Sequence, residues 1–190
     1  VTFDPPDREP PVAVAILLHQ TNGDGMCGWT DFAPYLARQD VAALAFDQCG
    51  YGRARCRLED SDDPVPQVRA ALDLAERRWP DTRVVLVGAS MGGSQAVRAV
   101  AAGVPVDAWA DLSGPSEWGG VELASVADRI TKPGLVAISA ATDGAEEAAA
   151  ARRLAARTGA RFLPVKEGHG YDFLTDAADV IKDTLAPKIP

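Results

Sequence analysis

Gly88-Ala89-Ser90-Met91-Gly92 sets a serine between two glycines, each two residues away. A serine hydroxyl attacks a carbonyl efficiently only when a neighbouring base takes its proton. The chain holds two histidines, His19 and His169. His169 lies in Glu167-Gly168-His169-Gly170-Tyr171-Asp172, a glycine-flanked loop free to lower an imidazole over the serine. A carboxylate is then needed to fix the imidazole through its other nitrogen. Asp143, in Ala141-Thr142-Asp143-Gly144, is the first choice and Asp111 the rival. Asp172 and Asp176 read as helix-start residues that the helix dipole favours. Together Ser90, Asp143 and His169 could carry acyl transfer through a covalent intermediate.

The elements that must position these residues are legible as alternating apolar runs and helical patterns. Val12–Leu18, Val41–Phe46, Val84–Val87, Val106–Leu112, Leu135–Ser139 and Arg161–Val165 are short apolar runs, which suits strands buried on both faces of a parallel sheet. Val65, Val68, Leu72, Ala75 and Trp79 repeat at helical spacing, and Ser90–Ala102, Ala145–Thr158 and Asp172–Leu185 read as further helices. Val1–Phe3 reads as a short strand, turned back onto Val12 as a hairpin by the proline-rich residues 4–11. The expectation is a single-domain α/β fold over residues 1–190: a mostly parallel sheet, helices on both faces, no lid domain. In such a sheet the loops after the strands share one edge, so Ser90, Asp143 and His169 can meet there.

The serine falls between a predicted strand and a predicted helix. At so sharp a corner the side chain is thrown clear of the sheet, and the glycines remove Cβ atoms that would collide as the chain reverses. The Met91 N–H then points where an oxyanion would form.

With 190 residues, 47% of them hydrophobic and 24% charged, the chain can bury one sizeable core. A formal net charge of -8 repels phosphate backbones and anionic lipid, so neither nucleic acid nor membrane is expected as a partner. No apolar run approaches the roughly 20 residues that span a bilayer. The first residue is Val1 rather than Met, which leaves export open beside the expected cytoplasmic location. Cys27, Cys49 and Cys56 allow one disulfide, Cys49 with Cys56 or Cys27 with either, and its formation argues for an oxidising compartment. Their spacing and the two histidines suit no metal site, and no cofactor is expected.

The buried strands, Gly88-Ala-Ser90-Met-Gly92, Asp143 and Gly168-His169-Gly170 resemble the α/β-hydrolase family from Val12 onward. The likeness is strongest to small uncapped members such as dienelactone-hydrolase-like proteins and compact carboxylesterases. It implies a serine hydrolase in which Ser90 is acylated, His169 shuttles the proton and Asp143 orients His169. It also implies an oxyanion-hole donor in Leu18-His19-Gln20-Thr21-Asn22-Gly23, where Gln20 replaces the family's usual glycine. Thr21 is the first choice, Gln20 the second, and Met91 supplies the other donor. By the same resemblance His19 and the turn Asp47-Gln-Cys-Gly50-Tyr-Gly52 are structural. Dienelactone hydrolases often use cysteine where this chain has Ser90.

Only about twenty residues, Ser113–Lys132, separate two predicted strands at the site edge, room for a loop and one short helix. An open site for small to medium esters is expected, with Trp29, Trp118 and Tyr171 beside Met91 as candidate lining. An acyltransferase using the same triad and a non-catalytic ligand- or partner-binding member of the fold are the alternatives. A homodimer that walls the site is compatible with so small a domain.

Overall fold

The structure, a computed structural model, describes residues 1–6, 10–22, 24–56 and 62–176. The apolar runs form strands β2 (Ala13–Leu18), β3 (Val41–Ala45), β4 (Val84–Ala89), β5 (Ala108–Leu112), β8 (Gly134–Ile138) and β9 (Arg161–Pro164). Together with β1 (Thr2–Phe3) they make a seven-stranded sheet in the order β1-β3-β2-β4-β5-β8-β9. All neighbours are parallel except β1 against β3.

The expected hairpin between residues 1–11 and β2 is not formed. β1 pairs with β3 through Thr2–Leu44 and Phe3–Ala43. Both edges of β2 are already hydrogen-bonded, to β3 and β4, so β3 offers the free edge.

Helices cover both faces. α2 (Pro64–Arg78), α3 (Met91–Ala101) and α5 (Ala145–Thr158) pack on one, joining Val68, Val97 and Leu154 to Ile16, Leu86 and Val136. α1 (Phe32–Ala37) lies on the other with Phe173 of α6 (Phe173–Asp176), against Leu17, Val87 and Leu112. The α2 start is capped by the Asp63 side chain, which accepts from Val65 N–H at 2.9 Å, and Pro64 needs no partner there. α1 was missed from sequence because Pro34 sits inside it. Its signal was the spacing of Trp29, Phe32, Ala33, Leu36 and Ala37, all buried.

Between β5 and β8 stands a small hairpin, β6 (Glu117–Trp118) and β7 (Val121–Glu122), followed by two 3-10 turns in place of the expected short helix. The last predicted helix begins as a 3-10 turn, Gly170–Asp172, leading into α6, and residues 177–185 of it lie outside the described residues. Cys49 and Cys56 form a disulfide, leaving Cys27 free and exposed. Among the described residues no helix is long and apolar enough to cross a membrane.

Candidate active site

Ser90 sits at the corner between β4 and α3 with φ 50° and ψ -118°. That backbone conformation is unfavourable for a residue with a Cβ and is held by its surroundings. Ser90 N–H donates to Leu112 O at 2.8 Å, and Ser90 O accepts from Gly93 N–H at 2.8 Å. The flanking glycines are steric necessities: a Cβ on Gly88 would run into Gly92 O, and one on Gly92 into Leu18 O. Ser90 itself is 8% exposed.

Met91 opens α3, so its N–H has no carbonyl one turn earlier to bond. Thr21 is exposed in the loop after β2. Neither N–H carries a hydrogen bond among the described residues. Gln20 differs: its N–H donates to the Tyr171 hydroxyl at 3.2 Å. The Gln20 N–H is therefore engaged, whereas those of Met91 and Thr21 are not.

The loops after β8 and β9 bring Asp143 and His169 together, with Nδ1 of His169 2.6 Å from Asp143 Oδ1. Asp143 ends the short helix α4 (Ala140–Asp143), which Ser139 caps by accepting from Thr142 N–H. Its second oxygen accepts from Ser113 Oγ at 2.9 Å and from Ser139 N–H at 3.2 Å. Both carboxylate oxygens are thus engaged, and the side chain is only 9% exposed. His169 is 37% exposed, which leaves its far edge open. Its N–H donates to Asp172 at 2.9 Å, and Gly168 N–H donates to Thr142 Oγ1 at 3.0 Å, so the loop is pinned on both sides of the imidazole. A methyl placed on Gly170 would lie 3.4 Å from Ala89 Cβ, which puts the His169 loop against the end of β4 next to Ser90.

Asp111 is not part of this group. It is fully buried, its Oδ1 accepts from Gly114 N–H at 2.7 Å, and Gly93 packs directly on it. Burial first, then the charges of Asp143 and Glu147, push its carboxyl up to about 7 against the Gly114 bond that favours the anion. Asp172 serves the loop backbone as described.

His19 is fully buried, with Nδ1 2.8 Å from Gln20 O and Nε2 accepting from Gln48 N–H at 2.9 Å. Since Nε2 accepts, the proton sits on Nδ1 and donates to Gln20 O. Burial lowers its pKa and keeps the ring neutral. Gln48 Nε2 donates back to His19 O at 2.8 Å, joining the loops after β2 and β3. Between the disulfide cysteines, Tyr51 meets the His19 ring edge-on at 4.5 Å, and its hydroxyl is 3.9 Å from Met91 Sδ.

Of the proposed lining residues, Trp29 is fully buried and packs edge-to-face on Tyr171 at 4.9 Å, so it is core and not a wall of the site. Trp118 is half-buried in the β6–β7 hairpin, and its carbonyl accepts from Arg98. Among the described residues no hydrogen bond or ring contact links Trp118 to Ser90, His169 or Tyr171. Tyr171 lines a hollow of about 380 Å³ with Gly28, Phe32, Tyr35 and Leu174, to which Ser90 and His169 do not contribute. A hollow of about 440 Å³ under the disulfide, walled by Phe46, Gln67 and Leu74, also lies apart from them.

Residues 9–120 match the family model described as serine aminopeptidase, S33. No curated protein matches the chain. Among solved structures, an esterase of Pyrococcus furiosus is similar at 15% identity and a TM-score of 0.74, covering 92% of this chain and 81% of its own. The Est1E protein of Butyrivibrio proteoclasticus, solved with ferulic acid bound, reaches 17% and 0.78, covering 99% and 95%. The enol-lactonase of Burkholderia xenovorans reaches 16% and 0.67, covering 97% and 93%. Those likenesses speak for the fold, and the family match over more than half of the sequence agrees with it: the chain belongs to the serine aminopeptidase S33 family of α/β-hydrolases.

Proposed function

We propose that the protein is a serine hydrolase that cleaves small to medium carboxylic esters through an acyl-enzyme. The observation that carries this reading is the 2.6 Å contact of His169 Nδ1 with an Asp143 whose other oxygen is also held, in a loop packed beside the strained Ser90 corner. Asp143 keeps the His169 proton on Nδ1, so Nε2 is the free base. His169 Nε2 takes the Ser90 proton as Oγ bonds to the ester carbon. Negative charge gathers on the carbonyl oxygen, where the Met91 and Thr21 N–H groups are the donors. Each such donor is typically worth about 3 kcal/mol of transition-state stabilisation. The protonated His169 returns its proton to the leaving alcohol as the carbon–oxygen bond breaks. A water then repeats the sequence on the acyl-Ser90 ester, releasing acid and free serine. Every step uses groups of the chain, so the mechanism asks for no cofactor. The half-exposed His169 supports an open site reached by small molecules.

A fluorophosphonate probe followed by mass mapping tests this. Label is expected on Ser90, and none in Ser90→Ala or His169→Ala. A folded wild type that takes no label overturns the reading. An ester panel run with and without an added alcohol then separates hydrolysis from acyl transfer, and an aminoacyl amide in the panel addresses the activity in the family's description.

A further inference from the structure

We infer that Tyr171 and Gln20 form a clamp between the His169 loop and the Thr21 loop, and that Tyr171 is a positioning residue for the oxyanion donor. The inference rests on the roles proposed above for Ser90, His169 and Thr21. The structure gives the Gln20 side chain a task that a residue without an amide could not perform. Gln20 Oε1 accepts from Tyr171 N–H at 3.3 Å, while Gln20 N–H donates to the Tyr171 hydroxyl at 3.2 Å. The pairing is reciprocal, and the same hydroxyl donates onward to Gly25 O at 3.3 Å. Tyr171 lies two residues after His169 and Gln20 immediately before Thr21, so the base loop and the donor loop are fastened to each other directly.

The consequence follows from peptide planarity. Gln20 C=O and Thr21 N–H belong to one trans peptide unit and point in opposite directions. His19 Nδ1–H holds that carbonyl from below at 2.8 Å. The Tyr171 hydroxyl holds the preceding N–H. With both ends of Gln20 fixed, the direction of the Thr21 N–H is fixed as well. The surroundings leave Tyr171 little freedom: Trp29 packs on its ring, and a Cβ on Gly28 would collide with it. Gly170, at φ 56°, passes so close beneath the Gln20 amide that a Cβ there would overlap Oε1. Burial raises the Tyr171 pKa, so the hydroxyl stays protonated and able to donate to Gly25.

The test compares wild type, Tyr171→Phe, Gln20→Met and the double variant on a p-nitrophenyl ester, with active sites counted by fluorophosphonate titration. Tyr171→Phe keeps the ring against Trp29, and Gln20→Met keeps length while deleting the acceptor. Each single variant is expected to lower kcat per titrated site about tenfold, the size of one lost buried hydrogen bond, with KM within about twofold. The double variant should be no worse than the worse single. Unchanged kcat per site overturns the clamp, as does a multiplicative loss in the double variant. A loss confined to the number of titratable sites also overturns it, since that is what a merely structural role would give. Should one single variant fail to fold, the other still decides between these outcomes. A wild type that takes no label is a separate result, which overturns the hydrolase reading itself.

Discussion

Two aspartates near the ends of neighbouring strands meet opposite fates. Asp111 lies within β5, in a row across the sheet with Gly88 of β4 and Val136 of β8. Val136 packs in the core beneath α3, and Asp111 shares that face, where Gly93 and Gly114 close over it. It has one side-chain hydrogen bond and two like charges nearby, so it stays about half protonated at neutral pH, where an ordinary carboxyl is ionised. Asp143 stands past the end of β8, on a capped turn that leaves the sheet. It collects Ser113, Ser139 and His169. A carboxylate's role here is set by which donors reach it and which face of the pleat it occupies.

The comparison can be broken most severely at Asp143. Asp143→Asn should cut kcat by about 10⁴-fold with little change in KM, because the amide favours the wrong His169 tautomer. Steady-state kinetics on an ester checks this, and activity near wild type would remove Asp143 from the mechanism.

Asp111→Asn should do the reverse, leaving kcat within about twofold and changing stability. The sign follows from the raised pKa. The unfolded carboxyl ionises near its ordinary value, the folded one at about 7, so wild-type stability declines as pH rises between them. Asn removes that cost. A gain of up to about 4 kcal/mol is expected at pH 8, shrinking toward zero near pH 4, in denaturant melts. A pH-independent difference would show that Asp111 carries no such penalty.

A smaller effect is expected from Ser113→Ala. It deletes one of the donors that hold Asp143, so kcat should fall about five- to tenfold. Ser139→Ala leaves its backbone donor to Asp143 intact and should cost less than Ser113→Ala. Equal losses would show that Ser113 is no special anchor. Ser113 has φ 58°, an uncommon conformation for serine, held where its hydroxyl meets Asp143.

How legible this was depends on distance along the chain. The strands were readable because double burial writes an unbroken apolar run, and β2 and β3 are buried along their whole lengths. α5 was readable because its composition and Gly159, which ends it at φ 70°, act locally. The bonding of Gln20 and the burial of Trp29 were unreadable for one reason. Each depends on Tyr171, which is 151 residues from Gln20, and no local pattern announces that pairing. The pairing of β1 failed similarly, since a strand's free edge is known only after the sheet is assembled.

What the sequence determined alone was the alternation of elements and the Gly-x-Ser-x-Gly corner. The steric demand on Gly88 arises within a few residues of Ser90, against Gly92 O, whereas that on Gly92 comes from Leu18 of the neighbouring strand β2. Tertiary structure decided which aspartate meets His169, which side chains are core, and how Gln20 is used. Those outcomes turn on hydrogen bonds and burial between segments far apart in the chain, whose energies exist only once the sheet has brought the loops to one edge.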